Sequence, residues 1–145
     1  MRVLIADDQP QVRSALQLLL KQEPGVAVVG EAENVEEALE LAAVRRPDLV
    51  LLDWELPGRQ AAGLPKKTKP GLLPALRARC PHMKVVALSG RPEARQAALA
   101  AGADVFVSKG DPPERLLAAV DICRRRQCNQ GRDKANLGNK TVGLH

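Results

Sequence analysis

Five short apolar runs alternate along this chain with segments of helical periodicity, and this alternation limits the fold more than any other feature. The runs cover residues 3–6, 26–30, 49–52, 85–88 and 105–107. Such compact apolar runs, without alternating polar residues, are typical of strands buried on both faces of a parallel sheet. Because strand and helix alternate five times, the sequence predicts an α/β fold with a doubly wound parallel sheet.

The segments between and after these runs predict five helices. The third is expected near Leu72–Arg79, with Pro74 in its first turn, where proline is tolerated. The fourth carries alanines 94, 97, 98 and 101 on one stripe, which buries little area, so we expect it to be held weakly. The fifth is expected to end near Arg126, followed by a polar, mobile tail over 127–145.

Polar side chains follow four of the predicted strands, at the point where each strand ends. They are Asp7 and Asp8 after the first, Asp53 after the third, Ser89 after the fourth and Lys109 after the fifth. The carboxyl ends of parallel strands meet at one edge of the sheet, so these groups should lie together. Clustered carboxylates repel unless a hard cation such as Mg²⁺ compensates them. With a fixed ammonium and a hydroxyl nearby, the set suits phosphoryl transfer to a carboxylate.

Each of these residues alone has an ordinary explanation, such as a helix cap or a solvated charge, but together they resemble a known pattern. The chain resembles the receiver domain of two-component response regulators over residues 1–126. The resemblance rests on Asp7-Asp8, Asp53 within 53–58 (DWELPG), Ser89-Gly90, 102–104 (GAD) and Lys109 within 106–109 (FVSK). The run into Lys109-Gly110-Asp111-Pro112-Pro113 looks most like receivers that usually precede a LuxR/NarL-type helix-turn-helix.

The resemblance implies a flavodoxin-like sheet of five strands in the order 2-1-3-4-5, with five helices, and a phosphoacceptor function. Asp53 would accept a phosphoryl group from a sensor histidine kinase or a phosphotransfer protein. Asp7, Asp8, Asp53 and the backbone carbonyl of Glu55 would hold Mg²⁺. Ser89, Gly90 and Lys109 would receive the phosphoryl oxygens. Phe106, three residues before Lys109, fits either a core position or a switch position that moves inward.

The charge of the chain is unevenly distributed. Residues 1–55 hold 11 acidic and 5 basic side chains, whereas residues 56–145 hold 6 acidic and 17 basic ones, for a net charge of +5. Relative to the receiver pattern, residues 59–71 form a Gly-, Pro- and Lys-rich insertion, interpreted either as a tolerated surface loop or as a site for an acidic partner. The polar tail lacks helix-turn-helix periodicity, so the sequence predicts a stand-alone receiver without DNA binding, despite its basic character.

The remaining features point to a cytoplasmic protein, and the resemblance implies an unknown downstream protein as a partner. No apolar run is long enough to span a membrane, no signal-peptide pattern is present, and the three cysteines lack metal-site or CxxC spacing. Homodimer formation is left open.

A receiver accepts and loses one phosphoryl group, so no turnover enzyme is predicted. Two alternatives are a phosphorylation-independent interaction module and an aspartate-nucleophile phosphatase, whose usual Asp-x-Asp pattern is absent because Glu55 follows Asp53 by two residues.

Overall fold

Five parallel strands and five helices alternate along the chain, as the sequence predicts. The computed structural model describes residues 1–58 and 69–139. The elements are β1 (Arg2–Ala6), α1 (Pro10–Lys21), β2 (Ala27–Ala32), α2 (Val35–Arg45), β3 (Leu49–Asp53), α3 (Lys69–Arg79), β4 (Lys84–Ser89), α4 (Arg95–Ala100) after a 3₁₀ turn (Pro92–Ala94), β5 (Val105–Ser108) and α5 (Pro113–Asn139). The strand order is β2-β1-β3-β4-β5, which confirms the predicted doubly wound, flavodoxin-like topology.

The sheet separates two apolar cores because successive side chains of a strand point to opposite faces. On one face, Leu4, Val50 and Val85 pack with the buried sides of α2 and α3. On the other, residues one position along the same strands pack with α1 and α5; they include Val3, Leu49 and Val86. Every residue of β3 and β4 is buried, so the centre of the sheet is shielded from water on both faces.

Helix α3 begins earlier than the sequence suggests. It starts at Lys69, so Pro74 lies inside the helix rather than in its first turn. The missing N–H of Pro74 removes one helical hydrogen bond, but Leu72, Leu73 and Leu76 are buried against the sheet and hold the helix in place. Most of the predicted insertion, residues 59–68, lies outside the described residues, and its last three residues already belong to α3.

Helix α4 is short and buries only part of its alanine stripe. It has six residues, of which Ala98 is fully buried, while Ala97 is exposed and Ala101, just past its end, is partly buried. Ala94 is buried in the 3₁₀ turn before the helix. Ala94, Ala98 and Ala101 follow the i, i+4, i+7 spacing of one buried face, whereas Ala97 lies beside that face, so the four alanines do not form one continuous buried stripe.

Helix α5 is longer than predicted. It continues through Asn139, where the sequence predicted an end near Arg126. No proline interrupts residues 127–139, and the two glycines there, Gly131 and Gly138, each cost a helix about 1 kcal/mol without ending it before Asn139. The last residues, 140–145, lie outside the described part of the chain. Over residues 1–58 and 69–139, no helix combines the length and apolarity needed to cross a bilayer.

A polar anchor of Arg77 and Asp104 fixes the strand ends that lie opposite the predicted site. Asp104 Oδ2 accepts the backbone N–H of Val85 at 2.8 Å and an Arg77 guanidinium nitrogen at 3.1 Å. The same guanidinium donates to the carbonyls of Met83 at 2.8 Å and Gly102 at 2.7 Å. The anchor therefore joins α3 to the amino-terminal ends of β4 and β5.

Candidate functional site

The predicted strand-end residues meet at the carboxyl edge of the sheet. Asp7 follows β1, and its backbone N–H donates to the Ala32 carbonyl at the end of β2, which fixes its position. Asp53 is the last residue of β3, and its side chain is 3% exposed. Asp8, the residue after Asp7, is exposed to solvent. The edge therefore carries two buried carboxyl groups beneath an exposed one.

Lys109 joins these carboxyl groups from the far side. Its ammonium nitrogen Nζ lies 2.8 Å from Asp7 Oδ2 and 3.4 Å from Asp53 Oδ1. Its backbone N–H donates to the Ser89 carbonyl at 2.8 Å, so the residue is held where β4 and β5 end. Burial opposes the charge, but the Asp7 and Asp53 carboxylates outweigh that penalty and raise the pKa of Lys109 above its usual value. Lys109 is therefore a fixed positive charge beside Asp53.

Asp53 is less acidic than an ordinary aspartate. Burial raises its pKa to about 6, the Asp7 carboxylate acts in the same direction, and the Glu55 N–H and the Lys109 ammonium oppose the rise. The Glu55 N–H donates to Asp53 Oδ1 at 3.0 Å. Asp53 is thus mostly ionised at neutral pH, with little water around it, which favours its use as a nucleophile.

The three aspartates are arranged as a set of ligands for a hard cation. One carboxylate oxygen each from Asp7, Asp8 and Asp53 lies within 4.8 Å of the others. Asp7 Oδ2 is buried and accepts no aligned hydrogen bond from the described residues, so Lys109 contacts it only as an ion pair. Oxygen ligands with one exposed member suit Mg²⁺, which keeps several waters. The donor set therefore fits the ion that the sequence predicts, and the main chain of Glu55 lies beside it.

Ser89 is buried at the end of β4, next to exposed Gly90. The Ser89 hydroxyl donates to Glu55 Oε1 at 2.7 Å and accepts the backbone N–H of Arg91 at 3.0 Å. A Cβ added at Gly90 would meet no atom within 4 Å, so the space in front of it is open. The structure thus brings Ser89 to the predicted edge, but with its hydroxyl bonded to Glu55.

The sequence reasoning missed the side chains of Glu55 and Arg91. An Arg91 guanidinium nitrogen lies 3.6 Å from Glu55 Oε2, so the two residues and Ser89 form one connected group. The opposite charges of this pair are visible in the sequence, but their proximity is not. It depends on the pairing of Asp53 with Leu88 in the sheet, which places Glu55 and Arg91 at similar distances beyond the two strand ends.

Phe106 occupies the middle of β5, away from the carboxyl groups. It is partly buried and packs against the core on the α2, α3 and α4 side of the sheet. It also lines a groove with Leu99 of α4 and Ile122 of α5. The structure therefore shows the core contact of Phe106, and its role as a switch stays a prediction.

The sequence of this chain is similar to those of known response regulators. The family model described as "Response regulator receiver domain" matches residues 3–121. The nitrate/nitrite response regulator protein NarL of Escherichia coli strain K12 is 35% identical over 118 residues, which are 81% of this chain and 52% of that protein. A transcriptional regulator from Pseudomonas aeruginosa is 38% identical over 121 residues, covering 82% and 54%. The chain thus spans about half the length of the curated relatives it matches.

Solved structures share the fold. A two-component response regulator of the LuxR family from an Aurantimonas species has a TM-score of 0.71 at 28% identity, covering 83% of this chain and 82% of that one. The REC domain of AraT, a response regulator from Geobacillus stearothermophilus, has a TM-score of 0.74 at 26% identity, covering 90% and 97%. With its parallel sheet, its acidic strand ends and a family match over most of its length, this chain belongs to the response regulator receiver domain family, close to its NarL- and LuxR-type members.

Proposed function

We propose that this chain is a phosphoacceptor signalling domain in which Asp53 takes a phosphoryl group from a histidine kinase or a phosphotransfer protein. The observation that carries the proposal is the contact of Lys109 with both Asp7 and Asp53 at the edge where the three aspartates gather. A carboxylate oxygen of Asp53 would attack phosphorus, forming an O–P bond while the P–N bond of the donor phosphohistidine breaks. The donor imidazole leaves with the electron pair.

The residues around Asp53 have distinct tasks in this proposal. Asp7, Asp8, Asp53 and the Glu55 carbonyl would hold Mg²⁺. When bound, Mg²⁺ would offset the negative charge that accumulates among carboxylate and phosphoryl oxygens. Lys109 would pair with one phosphoryl oxygen, and the Ser89 hydroxyl would donate a hydrogen bond to another. Open space at Gly90 would admit the donor, and Phe106 would follow Ser89 inward.

The proposal covers residues 1–126 as the receiver and assigns no DNA contact to the 145 residues. The receiver would pass its state to a downstream protein and would carry out only its own phosphorylation and dephosphorylation. A cytoplasmic location follows from the proposed kinase partner.

The direct test is phosphotransfer from candidate histidine kinases to the wild type, Asp53→Asn and Asp121→Asn. We expect label on the wild type and on Asp121→Asn, because Asp121 is an exposed residue of α5 that pairs with Arg125. Asp53→Asn should take up none. Labelling of Asp53→Asn would refute the assignment of the acceptor.

A second test needs no kinase. Beryllofluoride with Mg²⁺, a stable mimic of a phosphoryl group, should bind the wild type and change the fluorescence of Trp54, which is buried directly after Asp53. Asp53→Asn should abolish the change. Partner binding that is identical in wild type and Asp53→Asn, together with no beryllofluoride response, would favour the phosphorylation-independent interaction module.

A further inference from the structure

The Ser89 hydroxyl already has a partner in this structure. It donates to Glu55 Oε1 at 2.7 Å, and the Arg91 N–H donates to the same hydroxyl oxygen at 3.0 Å. A serine hydroxyl has one proton and can donate only one hydrogen bond. Ser89 therefore cannot donate to a phosphoryl oxygen on Asp53 while it donates to Glu55.

We propose that Glu55 and Arg91 are positioning residues that hold Ser89 in a resting orientation, so that a phosphoryl group on Asp53 must compete with Glu55 for the single Ser89 proton. This inference rests on the proposed function. We call Glu55, Ser89 and Arg91 the resting network. The Glu55–Ser89 bond is charge-assisted, which makes it stronger than a neutral hydrogen bond. To turn Ser89 towards itself, a phosphoryl group must interact with the hydroxyl at least as favourably as Glu55 does.

Repulsion between negative charges would release Ser89 from Glu55. A phosphoryl group on Asp53 brings negative charge close to the Glu55 carboxylate, whose backbone N–H already contacts Asp53. The two anions repel, which weakens the hold of Glu55 on Ser89. Arg91 lies 3.6 Å from Glu55 on the solvent side, with 57% of its side chain exposed, and can accept the displaced carboxylate. In the exchange, the O–H bond of Ser89 stays intact and only its acceptor changes.

The resting network also sets the affinity of the site. A receiver in which Ser89 must first leave Glu55 binds a phosphoryl mimic more weakly than one in which the hydroxyl is available. Removing the Glu55 carboxylate should therefore tighten binding, and the gain should depend on the Ser89 hydroxyl. A simple repulsion between Glu55 and the ligand would not depend on that hydroxyl.

The first experiment measures the resting state by hydrogen exchange of the Arg91 backbone amide. Exchange should be slowest in the wild type and fastest in Ser89→Ala, which removes the acceptor. Glu55→Ala should raise the rate at least about fivefold towards the Ser89→Ala value, since the hydroxyl is no longer oriented. Beryllofluoride with Mg²⁺ should raise it in the wild type for the same reason. An unchanged rate in Glu55→Ala would overturn the proposal.

The second experiment measures beryllofluoride affinity through Trp54 fluorescence in the presence of Mg²⁺. Glu55→Ala should bind about tenfold more tightly than wild type, the scale of one charge-assisted hydrogen bond. The same change in a Ser89→Ala background should gain about threefold or less, which is the through-space charge contribution. The affinity of Glu55→Gln, which keeps an acceptor without the charge, should lie between those of the wild type and Glu55→Ala. Glu40→Ala removes an exposed acid in α2 and serves as the control.

The outcomes separate this inference from the proposed function. Equal tightening with and without the Ser89 hydroxyl would overturn the resting network while leaving Asp53 as the acceptor. A wild type that binds no beryllofluoride at all would overturn the proposed function, and this is visible before any Glu55 variant is compared. Tightening that disappears in Ser89→Ala supports both.

Discussion

Asp53 carries its charge where the fold disfavours charge. Its side chain is almost fully buried, and burial together with the Asp7 carboxylate raises its pKa to about 6 against a reference of 3.8. The folded pKa is therefore above the unfolded one. The stability associated with protonated Asp53 is present below about pH 4 and is lost as the pH rises through about 6. Ionised Asp53 thus weakens the metal-free fold at neutral and basic pH.

We expect Asp53→Asn to stabilise the metal-free protein at pH 8 by about 1–3 kcal/mol, because asparagine fills the same space without charge. The gain should shrink as the pH falls to about 4.5, where wild-type Asp53 is largely protonated in the folded state. Urea unfolding in EDTA at the two pH values measures this. Asp121→Asn, at an exposed ion pair, should change stability by less than about 0.5 kcal/mol at both. A gain from Asp53→Asn that does not vary with pH would contradict the assigned cause.

The identity of the strand-end residues could be predicted from the sequence, but the direction of their side chains could not. Asp7, Asp53 and Lys109 lie at one edge because parallel strands end there, and a pattern of apolar runs is enough to show it. The bond from Ser89 to Glu55 depends on how β3 and β4 are paired and on how the chain turns after each strand. Neither is encoded in apolar periodicity.

The elements on the opposite edge are held by the anchor of Arg77 and Asp104. One guanidinium contacts two carbonyls and one carboxylate, and that carboxylate also accepts the N–H of Val85, the second residue of β4. These contacts pair the N–H of Val85 in β4, the carbonyl of Met83 just before β4 and the carbonyl of Gly102 in the turn before β5.

We expect Arg77→Ala to lower the free energy of unfolding by about 2–3 kcal/mol, because three hydrogen bonds to a charged group are lost and Asp104 keeps a partly buried charge. The matched control is Arg79→Ala in the same helix. Among the described residues, Arg79 donates to the Ala75 carbonyl alone, at 3.0 Å, so its loss should cost less than about 1 kcal/mol. Equal costs in urea unfolding would show that the anchor adds no stability.

Element positions could be predicted more closely for strands than for helices. The five strands differ from the predicted runs by at most two residues at either end, since a buried strand is marked by its apolar residues. Helices α3 and α5 extend into polar sequence, where no change of apolarity marks the end. The buried faces of α3 at Leu73 and Leu76 explain how it tolerates Pro74, a tertiary effect that local propensity does not contain.

At the scale of the whole molecule, the two cores are built from residues up to Cys123, as far as the side chains are described. The buried residues of the core shared with α1 reach only as far as Cys123 among the described side chains. Gln127 adds one further contact, donating from Nε2 to the Asp48 carbonyl at 2.7 Å. Residues 1–127 therefore contain the contacts that we expect to define the folded unit.

We expect a chain ending at Gln127 to unfold within about 3 °C of the full chain and to keep its beryllofluoride response, since it retains every described core residue. A chain ending at Ala118 loses Ala119, Val120 and Cys123 from the core and should not fold cooperatively. Thermal melts followed by circular dichroism distinguish the two. A much lower unfolding temperature for the chain ending at Gln127 would mean that the distal part of α5 supports the fold.

The anchor of Arg77 and Asp104 has a mechanical consequence for the sheet. It fixes β4 and β5 at their amino-terminal ends, while Ser89 and Lys109 lie at the opposite ends, about five residues of strand away. A pull applied at the carboxyl ends then bends the strands about a fixed base and does not slide them past their neighbours. Val86 pairs with Val105 and Leu88 with Val107, and such a bend would preserve these pairs. A signal raised at Asp53 would thus travel as a change of curvature near the loops, with the hydrogen-bond register of the sheet unaltered.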